Sequence, residues 1–119
     1  MDILAQDNYW QVRTAADSNA FLQQLRIMTE LAAEKNKISG ISETGLSGLT
    51  IPDWFTNVLL KPVKNDGLAR KIAYVAIWNR GFVPYPGHPA APDFLKFYRD
   101  PVTLFMGDYP DLYHSLIKP

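Results

Sequence analysis

The sequence has no cysteine, no excess of charge of either sign and no long apolar run. Without cysteine, the chain of 119 residues can form neither disulfides nor thiolate metal sites. Its 12 Lys and Arg residues balance its 12 Asp and Glu residues, so it offers no electrostatic attraction for nucleic acid or anionic lipid. No apolar stretch approaches the roughly 20 residues that a membrane-spanning helix needs, and the first residues lack the basic segment of a signal peptide. We therefore expect no nucleic-acid partner and no membrane span.

What the sequence does contain is an alternation of strand and helix patterns. Its composition, 47% apolar and 20% charged, suits a globular chain with one core. Strands that alternate with helices pair in parallel through right-handed crossovers. The predicted strands occupy residues 3–5, 38–43 and 72–78, and the predicted helices occupy residues 18–35, a segment opened by Pro52 and Asp53, and the segment around 94–98.

The longest helical pattern, capped by Asp17 or Ser18 and ending near Lys35, has one apolar stripe. In the second pattern we expect Pro62 to interrupt the helix. The stripe of the first helix consists of Phe21, Leu25, Met28 and Ala32, the third helix groups Phe94, Phe97 and Tyr98, and Leu104 and Phe105 with Leu112 and Tyr113 are expected to anchor the tail.

The strand pattern at residues 72–78 is apolar without alternation, which is typical of a parallel strand covered on both faces. Three parallel strands leave two edges unpaired, whereas a closed (β/α)8 barrel needs eight β/α units and about 250 residues. We therefore expect an α/β fold, a partial (β/α)8 TIM barrel of about three parallel β/α units, with residues 1–119 as one fragment of a larger barrel. Unpaired edges also predict self-association of the isolated chain.

Polar and aromatic residues follow the C-terminal end of each predicted strand. Asp7 and Tyr9 follow the first strand, Glu43 ends the second and Trp78 ends the third. In β/α barrels these strand ends form the active site, so we expect the four side chains to converge. Each also has a simpler interpretation: Glu43 as a solvated loop residue, Trp78 as core packing and Tyr9 as packing at the edge.

The combination of these side chains fits carbohydrate chemistry. The C–H face of a pyranose ring can pack on an indole such as that of Trp78. A carboxylate nucleophile has to be ionised and held still, and the phenol of Tyr9 can donate a hydrogen bond to it. Their convergence therefore favours a sugar site.

Several blocks of sequence carry a specific resemblance, which covers nearly the whole chain. Ile-Ser-Glu-Thr-Gly at residues 41–45, followed by Ile-Pro-Asp-Trp at 51–54, resembles the seventh strand and following helix of family 26 glycoside hydrolases, the β-mannanase family. Residues 72–78 resemble the eighth strand of that family, and residues 82–94 its long C-terminal loop. The order and spacing of these blocks make the resemblance specific to the C-terminal portion of the catalytic barrel.

The resemblance implies a role for each residue at the strand ends. Asp2, Asp7 and Tyr9 are similar to the sixth-strand pattern of the family. Glu43 would be the catalytic nucleophile, which forms a covalent glycosyl–enzyme intermediate and retains configuration. Tyr9 would donate a hydrogen bond to Glu43, Trp78 would stack on the sugar at the cleavage point, and Asp7 would support the substrate site. Asp2 would support the same edge in a more structural role.

Two departures from the family pattern bear on activity. The family commonly has Trp-Arg-Asn after its eighth strand, whereas this chain has Trp78-Asn79-Arg80, so Arg80 receives no firm role. The acid/base of the family is a Glu after a His near the fourth strand, which would precede this chain. Because general acid catalysis contributes about 10²–10⁴-fold in rate, we expect the isolated chain to be inactive.

The resemblance therefore implies a glycosidase, the C-terminal portion of a retaining endo-β-1,4-mannanase-like enzyme acting on mannan-type hemicellulose. Mixed-linkage glucan and β-1,3-xylan stay open as substrates. Two alternatives also stay open: an inactive saccharide-binding or inert remnant, and one half of a split barrel completed by a chain with the N-terminal strands.

The resemblance also bears on cofactors and location. It implies no cofactor. His88 and His114 are too far apart, and too poorly supplied with carboxylate neighbours, to suggest a metal site. Since such enzymes act on polymers outside the cytoplasm, the parent protein is expected to be extracellular, periplasmic or at the cell surface.

Overall fold

Three parallel strands form a single sheet in the order β1–β2–β3. The computed structural model describes residues 2–108, so the expectations for Leu112, Tyr113 and His114, and for residues 1–119 as one unit, extend outside the described residues. The strands are β1 Ile3–Asn8, β2 Ile38–Thr44 and β3 Val75–Ile77.

A helical segment follows each strand, as the sequence predicts. Helix α1 crosses from β1 to β2, a π-helix continuous with α2 crosses from β2 to β3, and α3 follows β3. None of the helices between residues 2 and 108 has the length and apolarity that crossing a bilayer requires. The segments are α1 Ser18–Glu34, the π-helix Trp54–Leu60, α2 Lys61–Lys64 and α3 Ala91–Arg99, with 3-10 turns at Trp10–Val12, Ala15–Asp17, Ser47–Leu49, Ala69–Lys71, Arg80–Phe82 and Met106–Asp108.

Helix α1 confirms the prediction from its apolar spacing. Its stripe is buried, with Phe21 and Leu25 fully inaccessible to solvent. Thr14 and Asp17 form a capping box on the turn that leads into the helix, and the amide of Thr14 donates to Asp17 Oδ2 at 2.9 Å. Asn36, at a φ of 53°, turns the chain out of the helix toward β2.

Pro62 does not interrupt the second crossover, contrary to the sequence prediction. The helix begins at Trp54, and its π-helical part still bonds through the amide of Lys61, which donates to Thr56 O. The chain then tightens into α2, where Pro62 occupies one of the first two positions. A proline is tolerated there because its fixed φ is helical and early helix positions need no amide donor.

The start of the π-helix is capped by a side chain from another helix. Asp93 of α3 accepts hydrogen bonds from the amide of Thr56 at 3.0 Å and from its hydroxyl. Asp53, the residue that precedes the helix, makes no such bond. The Asp93 carboxylate thus lies near the positive ends of two helices and ties α3 to the π-helix.

The core lies between these helices and one face of the sheet. Trp54 is fully buried, and its Nε1 donates to the carbonyl of Val12 at 2.7 Å. Phe55 packs on Phe94 and Phe97, with ring centroids 4.9 and 5.6 Å apart, which joins α3 to the core. Burial of these large apolar side chains is the main force that holds the three units together.

Strand β3 is shorter and more exposed than the sequence predicts. It pairs with β2 on one side only, at the edge of the sheet. Helix α3 stands away from it and leaves an apolar groove of about 650 Å³, lined by residues that include Ile72, Val75 and Phe97. Val75, which lines this groove, is therefore 36% exposed, and Tyr74, whose ring lies beside Gly40, is 38% exposed. The prediction that this strand is covered on both faces is wrong for the described residues.

Candidate active site

The C-terminal ends of the three strands meet at one edge of the sheet. Asp7 of β1 lies opposite Glu43 of β2, and Thr44 lies opposite Ile77 of β3. The amide of Trp78 donates to the carbonyl of Thr44 at 2.9 Å, which extends the pairing past the end of β3. The expected convergence of the strand ends is therefore present in the backbone.

Simple alternation along β2 would direct Glu43 into the core. Ser39 and Ile41 are buried on the helix-covered face, where the Ser39 hydroxyl lies 3.2 Å from that of Thr29 in α1. Side chains of a strand alternate with a period of two, so residue 43 would share that face. An ionised carboxylate among apolar side chains would be strongly destabilising.

A β-bulge at Ser42 reverses this alternation. Consecutive residues of β1 pair with Ile41 and then with Glu43, so β2 contains one extra residue. Beyond the bulge, it is Thr44 that is fully buried. Glu43 instead lies beside Asp7 on the face of the sheet turned away from the helices, which we call the open face.

Two hydroxyl groups each hold one carboxylate on the open face. Tyr9 Oη donates to Glu43 Oε2 at 3.0 Å, and Ser42 Oγ donates to Asp7 Oδ1 at 2.7 Å. Both bonds join the β1 side of the site to the β2 side. The structure thus brings together three of the four residues predicted from the sequence.

The electrostatic surroundings favour the protonated phenol of Tyr9. Burial raises its pKa above the ordinary value of 10.0, and the hydrogen bond to Glu43 and the negative charges of Glu43 and Asp7 raise it further. Tyr9 is therefore a neutral hydrogen-bond donor at physiological pH. Because the phenol keeps its proton, it can donate a hydrogen bond that orients the carboxylate.

Phe82 and Gly45, which the sequence pattern does not assign to the site, support the ring of Tyr9. The Phe82 ring packs edge-on against Tyr9, with ring centroids 6.0 Å apart. A Cβ atom on Gly45 would lie 2.5 Å from Phe82, and the φ of Gly45 is +154°, in the region that favours glycine. The glycine after Glu43-Thr44 is visible in the sequence, but the ring that needs its space is not.

Trp78 and Arg80 lie at the same edge and are accessible to solvent. The Trp78 side chain is 44% exposed, so an indole surface is available to a ligand. Arg80 is exposed in the turn Arg80–Phe82. Trp10, which follows Tyr9, is 71% exposed, and the guanidinium of Arg13 lies 4.6 Å from its ring centroid.

Asp2 does not support this edge, contrary to the sequence prediction. Its carbonyl accepts from the amide of Ile38, at the start of β2, and its carboxylate lies 3.7 Å from Lys37 Nζ. At a rise of about 3.3 Å per residue, β1 separates it from Asp7 by roughly 16 Å. Asp2 therefore lies at the opposite end of the sheet, and its side chain is 99% exposed.

The side chains at this edge of the sheet are suited to carboxylate chemistry. Within residues 2–108, no group of three or more His, Cys, Asp and Glu side chains lies close enough together to hold a metal ion. A carboxylate held by a phenol, with an indole at the adjacent strand end, can act as a nucleophile or a base toward a ligand that has an apolar face.

Comparison with known proteins finds relatives among solved structures. No protein-family model and no curated protein matches the chain. A modular endo-β-1,4-mannanase of glycoside hydrolase family 26 from Cellulomonas fimi is 34% identical, with a TM-score of 0.79 over 92% of this chain and 27% of that one. A family 26 β-mannanase from Bacteroides ovatus is 32% identical, with a TM-score of 0.81 over 95% of this chain and 33% of that one. A family 26 protein from Muricauda sp. is 30% identical, with a TM-score of 0.83 over 95% of this chain and 33% of that one.

These likenesses confirm the predicted fold class, a partial (β/α)8 barrel of three C-terminal parallel β/α units. The chain spans about a third or less of the length of these structures. The roles of Glu43, Tyr9, Trp78 and Asp7 stay predictions.

Proposed function

We propose that Glu43 is the nucleophile of a retaining β-mannanase-type site, because this chain corresponds in sequence and fold to the C-terminal portion of the catalytic barrel of glycoside hydrolase family 26. The family resemblance makes a polysaccharide of the mannan type the preferred substrate. The activity of the whole enzyme belongs to this proposal, since the chain covers 27% to 33% of these structures.

The observation that carries the proposal is the hydrogen bond from Tyr9 to Glu43, 3.0 Å long between groups 34 residues apart in the sequence. A retaining glycosidase needs one ionised carboxylate that attacks the anomeric carbon, and this carboxylate has to be held in one orientation. Tyr9 bonds to Oε2, so we expect Oε1 to be the attacking oxygen. The β-bulge supports the same role by placing Glu43 on the open face.

Trp78 and Asp7 are proposed to bind the substrate. The exposed indole of Trp78 offers an apolar surface to the C–H face of a mannose ring at the cleavage point. Asp7, opposite Glu43 in the strand register, is placed to accept a hydrogen bond from a sugar hydroxyl. Both contacts would hold the anomeric carbon over Glu43.

The second carboxyl group of the reaction is proposed to come from strands outside this chain. Retaining glycosidases protonate the leaving oxygen with an acid about 5–5.5 Å from the nucleophile. Asp7, the acidic residue beside Glu43, is already bonded to Ser42 and is assigned to substrate binding. The isolated chain should therefore carry a competent nucleophile without a general acid, and this separation can be tested.

A substrate with a good leaving group bypasses the missing acid. A 2-deoxy-2-fluoro-β-mannosyl donor with a dinitrophenolate leaving group needs no proton, because the departing anion is a weak base. Attack by Glu43 forms a bond between its carboxylate oxygen and C1 of the sugar and breaks the bond from C1 to dinitrophenolate. The fluorine then slows hydrolysis of the glycosyl–enzyme, so this covalent species accumulates. We expect intact-mass analysis to show one added glycosyl group, and peptide mapping to locate it on Glu43.

Two variants serve as controls for this labelling. Glu43→Gln keeps the size of the side chain and should abolish labelling. Tyr9→Phe removes only the hydroxyl and should slow it. A label on Asp7 in place of Glu43, or equal labelling of the Glu43→Gln variant, would falsify the assignment of the nucleophile.

The unpaired edges of the sheet favour a second hypothesis, in which the chain is half of a split barrel. Within residues 2–108, β1 and β3 each pair with a strand on one side only. Mixing the chain with a polypeptide that carries the first five β/α units of a family 26 barrel should then give mannan hydrolysis that Glu43→Gln abolishes. If the mixture binds mannan without hydrolysing it, the chain is a binding remnant.

A further inference from the structure

We propose that Ser42, the residue inserted by the β-bulge, is a positioning residue that holds Asp7 in the orientation in which it binds substrate. This inference rests on the proposed function, in which Asp7 contacts the sugar. The bulge therefore has two consequences: it turns Glu43 onto the open face, and it places a hydroxyl beside the neighbouring carboxylate.

The two hydroxyl–carboxylate bonds of the site are reciprocal. Tyr9, on the β1 side, donates to the carboxylate of β2, and Ser42 of β2 donates to the carboxylate of β1. Neither carboxylate depends on a donor from its own strand. At 2.7 Å, the bond from Ser42 has the length expected for a hydroxyl that donates to a carboxylate.

The need for such a donor follows from charge. Asp7 and Glu43 are partners in the strand register, so two negative charges lie on adjacent strands about 4.8 Å apart at the backbone. Like charges in directly opposed positions repel each other. Without the bond to Ser42, Asp7 could rotate away from Glu43 into solvent, where it would no longer face the sugar. Ser42 instead fixes Oδ1 and leaves Oδ2 for a sugar hydroxyl.

The residue type at position 42 is decisive for this role. The bond from Ser42 to Asp7 is open to solvent, so its short length of 2.7 Å, and not exclusion of water, is the observation that supports this role. Ser42→Ala keeps the size of the backbone bulge and removes the donor. Ser42→Thr keeps the donor and also suits a strand. The two variants therefore separate the hydroxyl from the shape of the bulge.

The first experiment uses the chain without ligand. The Asp7 carboxyl carbon is followed by NMR in the original chain and in both variants. Ser42→Ala should move the Asp7 resonance, Ser42→Thr should largely restore it, and Tyr9→Phe should move the Glu43 resonance more than that of Asp7. An Asp7 resonance unchanged by Ser42→Ala would overturn the proposal.

The second experiment measures affinity for mannotetraose by calorimetry. Ser42→Ala should weaken binding about three- to tenfold while the melting midpoint stays unchanged, and Ser42→Thr should recover most of the loss. Because Ser42 acts through Asp7, Ser42→Ala should have no further effect when Asp7 is already Ala.

The outcomes separate this inference from the proposed function. If Ser42→Ala lowers the affinity for mannotetraose equally in the original chain and in the Asp7→Ala variant, Ser42 acts on its own or through the fold. That result would overturn the inference about Ser42 and leave the proposed function standing. If the original chain binds no mannotetraose while the Asp7 resonance responds to Ser42→Ala, the proposed substrate contact of Asp7 fails and the hydrogen bond stands. If neither experiment responds, both proposals fail.

Discussion

The two faces of the sheet differ in what holds their side chains. On the helix-covered face, Ile41 is fully buried among apolar groups, and Thr44 satisfies its hydroxyl by donating to Asn8 O at 2.6 Å. On the open face, Asp7 and Glu43 are held by one hydroxyl group each. The same strands thus supply a packed core on one side and a polar cluster on the other.

This difference separates stability from chemistry within three strands. In the described residues, no buried side-chain nitrogen or oxygen lacks a hydrogen-bond partner, so the helix-covered face carries no unsatisfied polar group. The polar groups that are proposed to meet a ligand lie on the open face, where solvent can reach them. Mutations on the two faces should therefore have different effects, and the following predictions test this from the largest effect to the smallest.

The largest effect is expected from a tryptophan of the helix-covered side. Trp54→Ala should lower the free energy of unfolding by about 3–5 kcal/mol, because the ring is fully buried and its loss also leaves the Val12 carbonyl without its 2.7 Å bond. Urea unfolding followed by far-UV circular dichroism measures this change. If Trp54→Ala does not fold, Trp54→Phe should still show a smaller loss.

Trp10→Ala is the matched control for the same residue type. The Trp10 side chain is 71% exposed, and the contact with Arg13 is its one described aromatic interaction. Its loss should cost under about 1 kcal/mol. Equal costs for Trp10→Ala and Trp54→Ala would contradict the expectation that the cost of losing a tryptophan follows its burial.

A smaller effect is expected at Gly45, which follows β2 at the edge of the sheet that carries the candidate site. Gly45→Ala would strain a backbone φ of +154° and place Cβ 2.5 Å from Phe82, so it should cost about 1–3 kcal/mol. It should also shift Phe82 and loosen the Tyr9 ring that Phe82 supports. Gly81→Ala, where a Cβ meets nothing within 4 Å, should stay within about 0.5 kcal/mol. Similar unfolding free energies for the two variants would show that Phe82 yields without cost.

Much of the helix-covered side could be predicted from the sequence. The spacing of Phe21, Leu25 and their neighbours predicts α1, and the capping residues place its start to within one position. The strand at residues 72–78 was predicted less well, because an apolar run does not reveal whether other elements cover it. Its exposure follows from the position of β3 at the sheet edge, which is a property of the whole assembly.

The candidate site could be predicted only in part. The order of Asp7, Tyr9, Glu43 and Trp78 after their strands predicts convergence at one edge. The sequence does not show the β-bulge, and strict alternation without it would have directed Glu43 into the core. Ser42 was missed for the same reason, since its proximity to Asp7 depends on a register shift between two strands.

A still smaller effect on stability is expected when acid protonates Asp66, which forms an ion pair with Arg26 of α1. The guanidinium of Arg26 in α1 lowers the pKa of Asp66 from 3.8 to about 2, and the amide of Ala69 adds to this. A carboxyl group whose pKa is lower in the folded chain than in the unfolded chain stabilises the folded chain at any pH above its unfolded pKa. For Asp66 this contribution is lost as the pH falls from about 4 to about 2. Arg26→Met should therefore raise the Asp66 pKa, measured by NMR titration, and flatten the fall of the melting midpoint over that range. An Asp66 pKa unaffected by Arg26→Met would assign the shift to the backbone bonds.

The smallest effect on stability is expected from Glu43→Gln. Glu43 is half-buried on the open face, and the amide keeps an acceptor for Tyr9, so the free energy of unfolding at neutral pH should change by less than about 0.5 kcal/mol. The loss of charge should nevertheless lower the pKa of Tyr9, while burial of the phenol still holds that pKa above 10.0. A phenol whose pKa is higher in the folded chain than in the unfolded chain contributes stability below its unfolded pKa, and this contribution is lost as the pH rises through its folded pKa. Because the Tyr9 pKa is raised less in the variant, the variant should lose less stability in alkali than the original chain does. Ultraviolet titration of the phenol, with Tyr9→Phe as the blank for the other tyrosines, measures the shift. An unchanged Tyr9 titration would mean that the carboxylate and the phenol do not interact in solution, and the proposed nucleophile would then lack the hydrogen bond that holds it.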